Sequence, residues 1–231
     1  MEYIYAVTTE EEIAVLRKFA NNYSDAVDKY VSYLEKEFNA EDFPGSIVLT
    51  SYEIACNRIS DISVPAYTND YRIVFCPAIN TWRELYLKQL DGYGVEETIK
   101  IRDYYSSKLN EHNLLQILGH ELAHHISLFT DDAYDNGGAW FEEGMVEYIS
   151  RKYFLSDEEY KFQKEINMEI VGLYEMAHGE RPLSDFGKYA DDNDLATVYY
   201  DYWKAFLEID KIVQARNGDI LSVLHERIIG E

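Results

Sequence analysis

The stretch LGHELAHHIS, residues 118–127, holds three histidines within six positions, although the whole chain of 231 residues has only six. Apolar residues recur around it at helical spacing and predict one helix over residues 113–129. They are Leu115, Leu118, Leu122, Ile126 and Phe129. On such a helix His120 and His124 are four residues apart and differ by about 40° around the axis, so both imidazoles lie on one face.

Two imidazoles on one helical face can share one metal ion, and Glu121 is next to the first of them. This is the H-E-x-x-H arrangement, in which zinc lowers the pKa of its water towards about 7 and the glutamate takes the proton. His120 and His124 are therefore the predicted zinc ligands, and Glu121 is the predicted general base. His125 is rotated by about 100° from His124, which predicts a role in packing or in an outer hydrogen bond.

A third ligand is needed to complete such a site. The stretch WFEEGMVEY, residues 140–148, places Glu143 after His124 with eighteen residues between them. This spacing and the W-x-x-E-G-x-x-E-Y context resemble the gluzincin metallopeptidases, especially the peptidase-MA-like proteins and the catalytic domain of the alanyl-type aminopeptidases. The resemblance implies that Glu143 is the third ligand of one zinc ion per chain, with a fourth position open for water.

Two neighbouring acids leave alternatives open. Glu142 stands where the aminopeptidases usually have asparagine, and if Glu142 is the ligand, the register shifts by one residue. Glu147 is one helical turn beyond Glu143, so its carboxylate either accepts a hydrogen bond from a ligand histidine or remains a solvated helix charge. Trp140 is interpreted as a core anchor at the start of this helix.

Peptide hydrolysis also needs a hydrogen-bond donor for the oxyanion. In the resembling families a tyrosine at the start of a later helix supplies it, and the segment 181–209 has a similar layout. The resemblance implies that Tyr199 is this donor, with Tyr200 as the alternative. His178 is a further candidate, and a site without a catalytic tyrosine is the remaining alternative.

The N-terminal part of the sequence predicts a long helix followed by two strands. Residues 9–38 have helical periodicity, with a break near Asn21 and Asn22 as an alternative, and TEEE is typical of a capped, acidic start. GSIVLT at 45–50 and YRIVFCP at 71–77 predict the strands of a small sheet.

Nearly all of the sequence after Gly137 and Gly138 has a pattern that predicts helix. The order of a helix, then strands, then helices predicts the α+β fold class. The resemblance further implies one zincin-like domain over residues 1–231. Its upper half, about 1–130, would hold the small N-terminal sheet and the active-site helix, and its lower half, about 131–231, would be helical.

The net charge of the chain indicates which kinds of partner are disfavoured. The 43 acidic and 21 basic residues give a net charge of −22, which disfavours nucleic acid and membrane surfaces. No signal peptide or transmembrane segment is predicted, so a cytoplasmic protein is expected. Cys56 and Cys76 lie outside any metal-binding spacing and predict two buried free thiols. The oligomeric state is not predicted.

The predicted function is zinc-dependent hydrolysis of a peptide or protein substrate. The aminopeptidases hold the free N-terminus of their substrate with a G-x-M-E-N-type segment, which this chain lacks before its metal helix, so exopeptidase specificity stays open. Two other classes of protein remain as alternatives: a zincin-fold module that binds metal and peptide without turnover, and a structural helical protein whose histidines are satisfied in its core. Glu121 argues against the first, and the metal content of the purified protein decides the second.

Overall fold

The two apolar runs of the N-terminal part form the centre of a four-stranded mixed sheet. The computed structural model describes residues 1–59, 64–129, 138–188 and 194–229. The strands are β1 (Glu2–Ala6), β2 (Ser46–Thr50), β3 (Ala66–Thr68) and β4 (Arg72–Phe75). Their order is β1-β2-β4-β3; the first three run parallel, and β3 lies antiparallel along β4 at the edge. The central strands are buried, as expected for strands with neighbours on both sides.

The predicted strands at 45–50 and 71–77 are confirmed as β2 and β4, and the fold class is α+β. The sequence prediction omitted β1 and β3. β1 alternates between exposed and half-buried residues, and β3 has only three residues, so neither contains the apolar run that marks a buried strand.

Helix α1 spans Glu10–Phe38 without a break, so the alternative of two helices meeting near Asn21 and Asn22 is wrong. The predicted capped start is confirmed. The Thr9 hydroxyl accepts a hydrogen bond from the Glu12 backbone N–H (3.2 Å), and the Glu12 carboxylate accepts one from the Thr9 N–H (3.1 Å).

Eight further α-helices are described, four of which begin in each half of the chain. They are α2 (Tyr52–Ile54, continued by a π-helical turn at Ala55–Ile59), α3 (Ile79–Lys88), α4 (Val95–Asp103, continued by a π-helical turn at Tyr104–Lys108), α5 (Glu111–Ala123), α6 (Ala139–Phe154), α7 (Asp157–His178), α8 (Leu195–Ala215) and α9 (Ile220–Ile229). Among the described residues, no helix combines the length and the hydropathy needed to cross a bilayer.

Helix α5 carries the H-E-x-x-H sequence and ends earlier than predicted. It stops at Ala123, with His124 as its C-cap, so the expectation of a helix to residue 129 is wrong. The chain turns here because Ile126 forms an antiparallel bridge with Ala40, and the His125 carbonyl accepts a hydrogen bond from the backbone of residue 41. Residues beyond His124 are thereby held against the end of α1.

The start of α5 is fastened to the start of α7 through one carboxylate. Glu159 accepts hydrogen bonds from Asn110 Nδ2 (3.0 Å) and from the Ser156 backbone N–H (2.8 Å), and its Oε1 lies 3.1 Å from His112 Nδ1. Burial alone would raise the pKa of Glu159, but these hydrogen bonds outweigh it and lower the pKa to about 2. The carboxylate therefore stabilises the fold in its ionised form.

One apolar core joins the sheet to the later helices. It includes Tyr30 of α1, Phe75 of β4, Leu118 of α5 and Phe206 of α8. Cys56 and Cys76 are buried free cysteines, as predicted. The predicted boundary between two halves, at about residue 130, and Gly137 lie outside the described residues, so that division stays a prediction.

Candidate metal centre

The end of α5 and the second turn of α6 bring three candidate ligand atoms together. His120 Nε2 lies 3.2 Å from His124 Nε2. Glu143 Oε2 lies 3.2 Å from His120 Nε2 and 3.7 Å from His124 Nε2. Ligand atoms about 2.0–2.1 Å from a tetrahedral zinc ion would be roughly 3.3–3.4 Å apart. The three residues could therefore hold one metal ion.

Each histidine meets a second carboxylate at its other ring nitrogen. His124 Nδ1 is 2.7 Å from Glu142 Oε1, and His120 Nδ1 is 3.0 Å from Glu147 Oε1. The second contact has a suitable length but a poor direction for a hydrogen bond. The two carboxylates place negative charge beside both Nδ1 atoms, which favours the tautomers that carry their proton there. Lone pairs at both Nε2 atoms then face the Glu143 carboxylate.

A network of protonated histidines explains this arrangement less well than a cation does. If all four ring nitrogens carried protons, the two Nε2 hydrogens would face each other across 3.2 Å. Moreover, Glu143 Oε2 is buried and has no hydrogen-bond partner within the described structure. A buried carboxylate oxygen without a partner is costly, and coordination to a metal would remove that cost. The donor set of two imidazoles and one carboxylate suits zinc.

Arg151 holds the outer carboxylate in place from the far side. Its Nε donates to Glu147 Oε2 (2.7 Å) and its Nη1 donates to Asn167 Oδ1 (2.6 Å), while the guanidinium lies over the rings of Trp203 and Phe206. Burial alone would raise the pKa of Glu147, but Arg151 and His120 lower it to about 2. Sequence reasoning missed Arg151, although it is one helical turn beyond Glu147.

Opposing effects set the pKa values of the three candidate ligands. Burial opposes protonation of His120, but Glu143 and Glu147 outweigh it and raise the pKa well above its usual value. Burial likewise opposes a charge on His124, and Glu143 and Glu142 raise its pKa. Burial would raise the pKa of Glu143, but the two imidazoles lower it. The carboxylate is thus ionised and available as a ligand.

Glu121 lines a cavity of about 150 Å³ beside the histidines. Its carboxyl group is buried, and burial raises its pKa above the usual range against the lowering effect of the imidazoles. His120 and Glu147 border the same cavity. An acid with an elevated pKa at the wall of a cavity is suited to accept and release a proton.

Helix α8 brings two tyrosines to this cavity. Tyr199 lines it, as does Tyr202, whose ring centroid is 6.1 Å from that of His120. Burial raises the pKa of Tyr199 well above its usual value, so its hydroxyl stays protonated and can donate a hydrogen bond. Sequence reasoning missed Tyr202, but its spacing of three residues from Tyr199 placed it on the same helical face.

The alternative donors lie elsewhere. Tyr200 faces α7, where its hydroxyl donates to Glu175 Oε1 (2.9 Å) and its ring stacks on Tyr174. His178 is exposed at the end of α7 and does not line the cavity. Residues 189–193, which precede α8 in the sequence, lie outside the described residues.

His125 and Trp140, the two remaining residues singled out in the sequence, pack against their neighbours. His125 Nε2 is 2.8 Å from Thr68 Oγ1 of β3, and its ring lies against Phe43. The prediction of a packing role for His125 is confirmed. Trp140 is half-buried at the start of α6 and packs against the core, as predicted for an anchor.

Comparison of the chain with protein-family models, curated proteins and solved structures found no match. The gluzincin resemblance therefore rests on the motifs of this sequence alone.

Proposed function

We propose that the chain is a zinc-dependent peptide hydrolase of the gluzincin type with a zincin-like fold. The observation that carries the proposal is the convergence of His120 Nε2, His124 Nε2 and Glu143 Oε2 beside a cavity that Glu121 lines. A zinc ion held by these three ligands would activate water as a nucleophile and polarise a peptide carbonyl.

Glu121 is the proposed general base. Its buried carboxylate takes the proton of the attacking water and then gives it to the nitrogen of the leaving amine. The raised pKa supports this double role because the protonated carboxyl is kept until the amine needs the proton. Glu142 and Glu147 meanwhile keep the imidazoles of His124 and His120 oriented.

Tyr199 is the proposed donor to the oxyanion. Tyr199 lines the same cavity as Glu121, and burial keeps its hydroxyl protonated. A donor held in place before the reaction stabilises the negative charge that develops on the carbonyl oxygen. Its stacking on Trp203, with ring centroids 5.4 Å apart and planes 11° apart, holds the phenol in position.

The proposal is tested by zinc content and peptide cleavage measured on the same preparations. We expect one zinc per chain in the purified protein, and cleavage of a diverse peptide library detected by mass spectrometry. Glu121→Gln should keep the zinc and lower the cleavage rate by at least about a hundredfold. Glu111→Gln is the matched control, since Glu111 is an exposed acid at the start of the same helix.

Three results would contradict the proposal or one of its parts. A chain without metal after purification and after zinc addition would exclude the zinc site. Zinc binding with no cleavage of any peptide would instead favour the binding module without turnover. Equal cleavage by the wild type and Glu121→Gln would show that Glu121 is not the base.

A further inference from the structure

The cavity beside Glu121 has a volume of about 150 Å³, and most of its walls are apolar. Residues from the edge strand, α3, α5 and α8 form these walls. They include Ala66, Trp82, Leu85, Ile117, Val198 and Trp203. Polar groups enter mainly from the metal centre and from the tyrosines. Ligand sites commonly combine such apolar walls with a few polar groups that orient the ligand.

Both tryptophans present apolar surface to the cavity because their N–H groups are satisfied elsewhere. Trp82 Nε1 donates to the Cys76 carbonyl (2.8 Å), and Trp203 Nε1 donates to Gln89 Oε1 (2.9 Å). The rings therefore offer no unpaired donor to a ligand. A polar ligand group placed against these walls would lose its hydration without gaining a hydrogen bond.

The size of the cavity fits one ring or one branched side chain. Its volume is about 150 Å³. An apolar cavity of roughly this volume in another protein accommodates benzene. The phenyl ring of phenylalanine or the side chain of leucine would fill the space, whereas alanine would leave most of it empty.

The charges at the cavity favour an uncharged occupant. Among the described residues that line it, none is lysine or arginine, and the two acids are Glu121 and Glu147. These carboxylates would repel an aspartate or glutamate side chain. Glu147 is already paired with Arg151, so a lysine or arginine side chain would lose its hydration and find only Glu121, the proposed base.

We propose that this cavity binds one uncharged apolar side chain of phenylalanine or leucine size. The bound side chain would belong to the residue next to the cleaved bond of a peptide substrate, and this part of the inference rests on the proposed function. Val198 on α8 is a residue that determines specificity, since it lines the cavity and is half-buried at the start of that helix.

The test measures binding without turnover. The chain has three tryptophans, and Trp82 and Trp203 both line the cavity, so their fluorescence reports its occupancy. The zinc-loaded protein is titrated with the N-acetyl amides of phenylalanine, leucine, alanine, glutamate and lysine. We expect saturable binding of the first two at least about tenfold tighter than of the other three, the gain from burying a large apolar side chain.

Two valine variants locate the binding. Val198→Phe fills the cavity and should weaken binding of the phenylalanine amide at least about tenfold. Val171→Phe is the matched control, because Val171 is a half-buried valine of α7 that lies outside the cavity. Melting curves of both variants check their folding, and the amide series on the wild type tests the proposal without any variant.

The outcomes separate this inference from the proposed function. Selective binding of the apolar amides that Val198→Phe weakens at least about tenfold supports the pocket, even if no peptide is cleaved. Absence of saturable binding, equal binding of the alanine or glutamate amide, or equal loss in Val171→Phe would overturn the pocket. Zinc binding and peptide cleavage could still be observed in that case.

Discussion

Replacing Gly144 with alanine tests how tightly α6 and α8 must approach each other at the site. An added Cβ would lie 2.6 Å from the Ala205 carbonyl oxygen and 2.8 Å from Ile209 Cγ1. Ordinary contact begins at 3.4 Å, so one helix must move by 0.8 Å, the difference between 3.4 and 2.6 Å. The nearest atom belongs to backbone, which cannot rotate away as a flexible side chain can.

The expected cost follows from two opposing contributions. Overpacking lowers the free energy of unfolding by about 1–3 kcal/mol. The better helix propensity of alanine offsets about 0.5–1 kcal/mol of this loss. Gly144→Ala should therefore destabilise the protein by up to roughly 2.5 kcal/mol, and alanine's helix propensity should not turn this into a net gain. For a chain of this length, each kcal/mol lowers Tm by about 2–4 °C.

Gly172→Ala is the control, with the opposite sign. Gly172 is inside α7, and an added Cβ there meets no atom within 4 Å. This variant should gain about 0.5–1 kcal/mol from helix propensity alone. Urea unfolding of both variants is measured with a chelator present, so that metal binding does not contribute to the free energy. Equal stabilisation by the two substitutions would refute the close approach at Gly144.

Three further predictions concern the ligands, the oxyanion donor and acid stability. His124→Ala should weaken zinc binding by more than the roughly 10- to 100-fold expected for an outer partner, whereas His125→Ala should retain zinc, as equilibrium dialysis will show. Tyr199→Phe should lower kcat by about 10² with little change in KM. Tyr200→Phe should leave kcat unchanged, because the Tyr200 hydroxyl donates to Glu175 of α7. The pKa of Glu159 is lowered from 4.5 to about 2, so the stability it contributes is present above pH 4.5 and is lost as the pH falls towards 2. The urea midpoints of the wild type and Glu159→Gln should converge over that interval, and a growing difference would contradict the assignment.

Features with local signals could be predicted from the sequence. Thr9 and Glu12 are three residues apart and form their capping box within one turn. The proposed ligands His120 and His124 are likewise separated by one turn, so their shared face follows from helix geometry. The apolar run of β2 is also a local pattern, so it could be recognised without knowing which strands pair with it.

Features that depend on distant parts of the chain were missed. The end of α5 at Ala123 is set by the pairing of Ile126 with Ala40, which no helical pattern within residues 113–129 reveals. Trp82 and Trp203 wall the same cavity although they are far apart in sequence. Their proximity comes from tertiary packing, so the cavity and its volume could not be read from either segment.

Glu142 and Glu143 are adjacent, and sequence reasoning left either of them as a ligand. Both meet His124, but at opposite ring nitrogens: Glu142 Oε1 is 2.7 Å from Nδ1, and Glu143 Oε2 is 3.7 Å from Nε2. Successive residues of a helix point about 100° apart, so the two carboxylates cannot exchange places. A carboxylate at Nδ1 accepts the ring proton more strongly than the amide of an asparagine would and makes Nε2 a better donor to a metal. Glu142, at the position where the aminopeptidases usually have asparagine, therefore supports the proposal that His124 is a ligand. It does not compete with Glu143 for the metal.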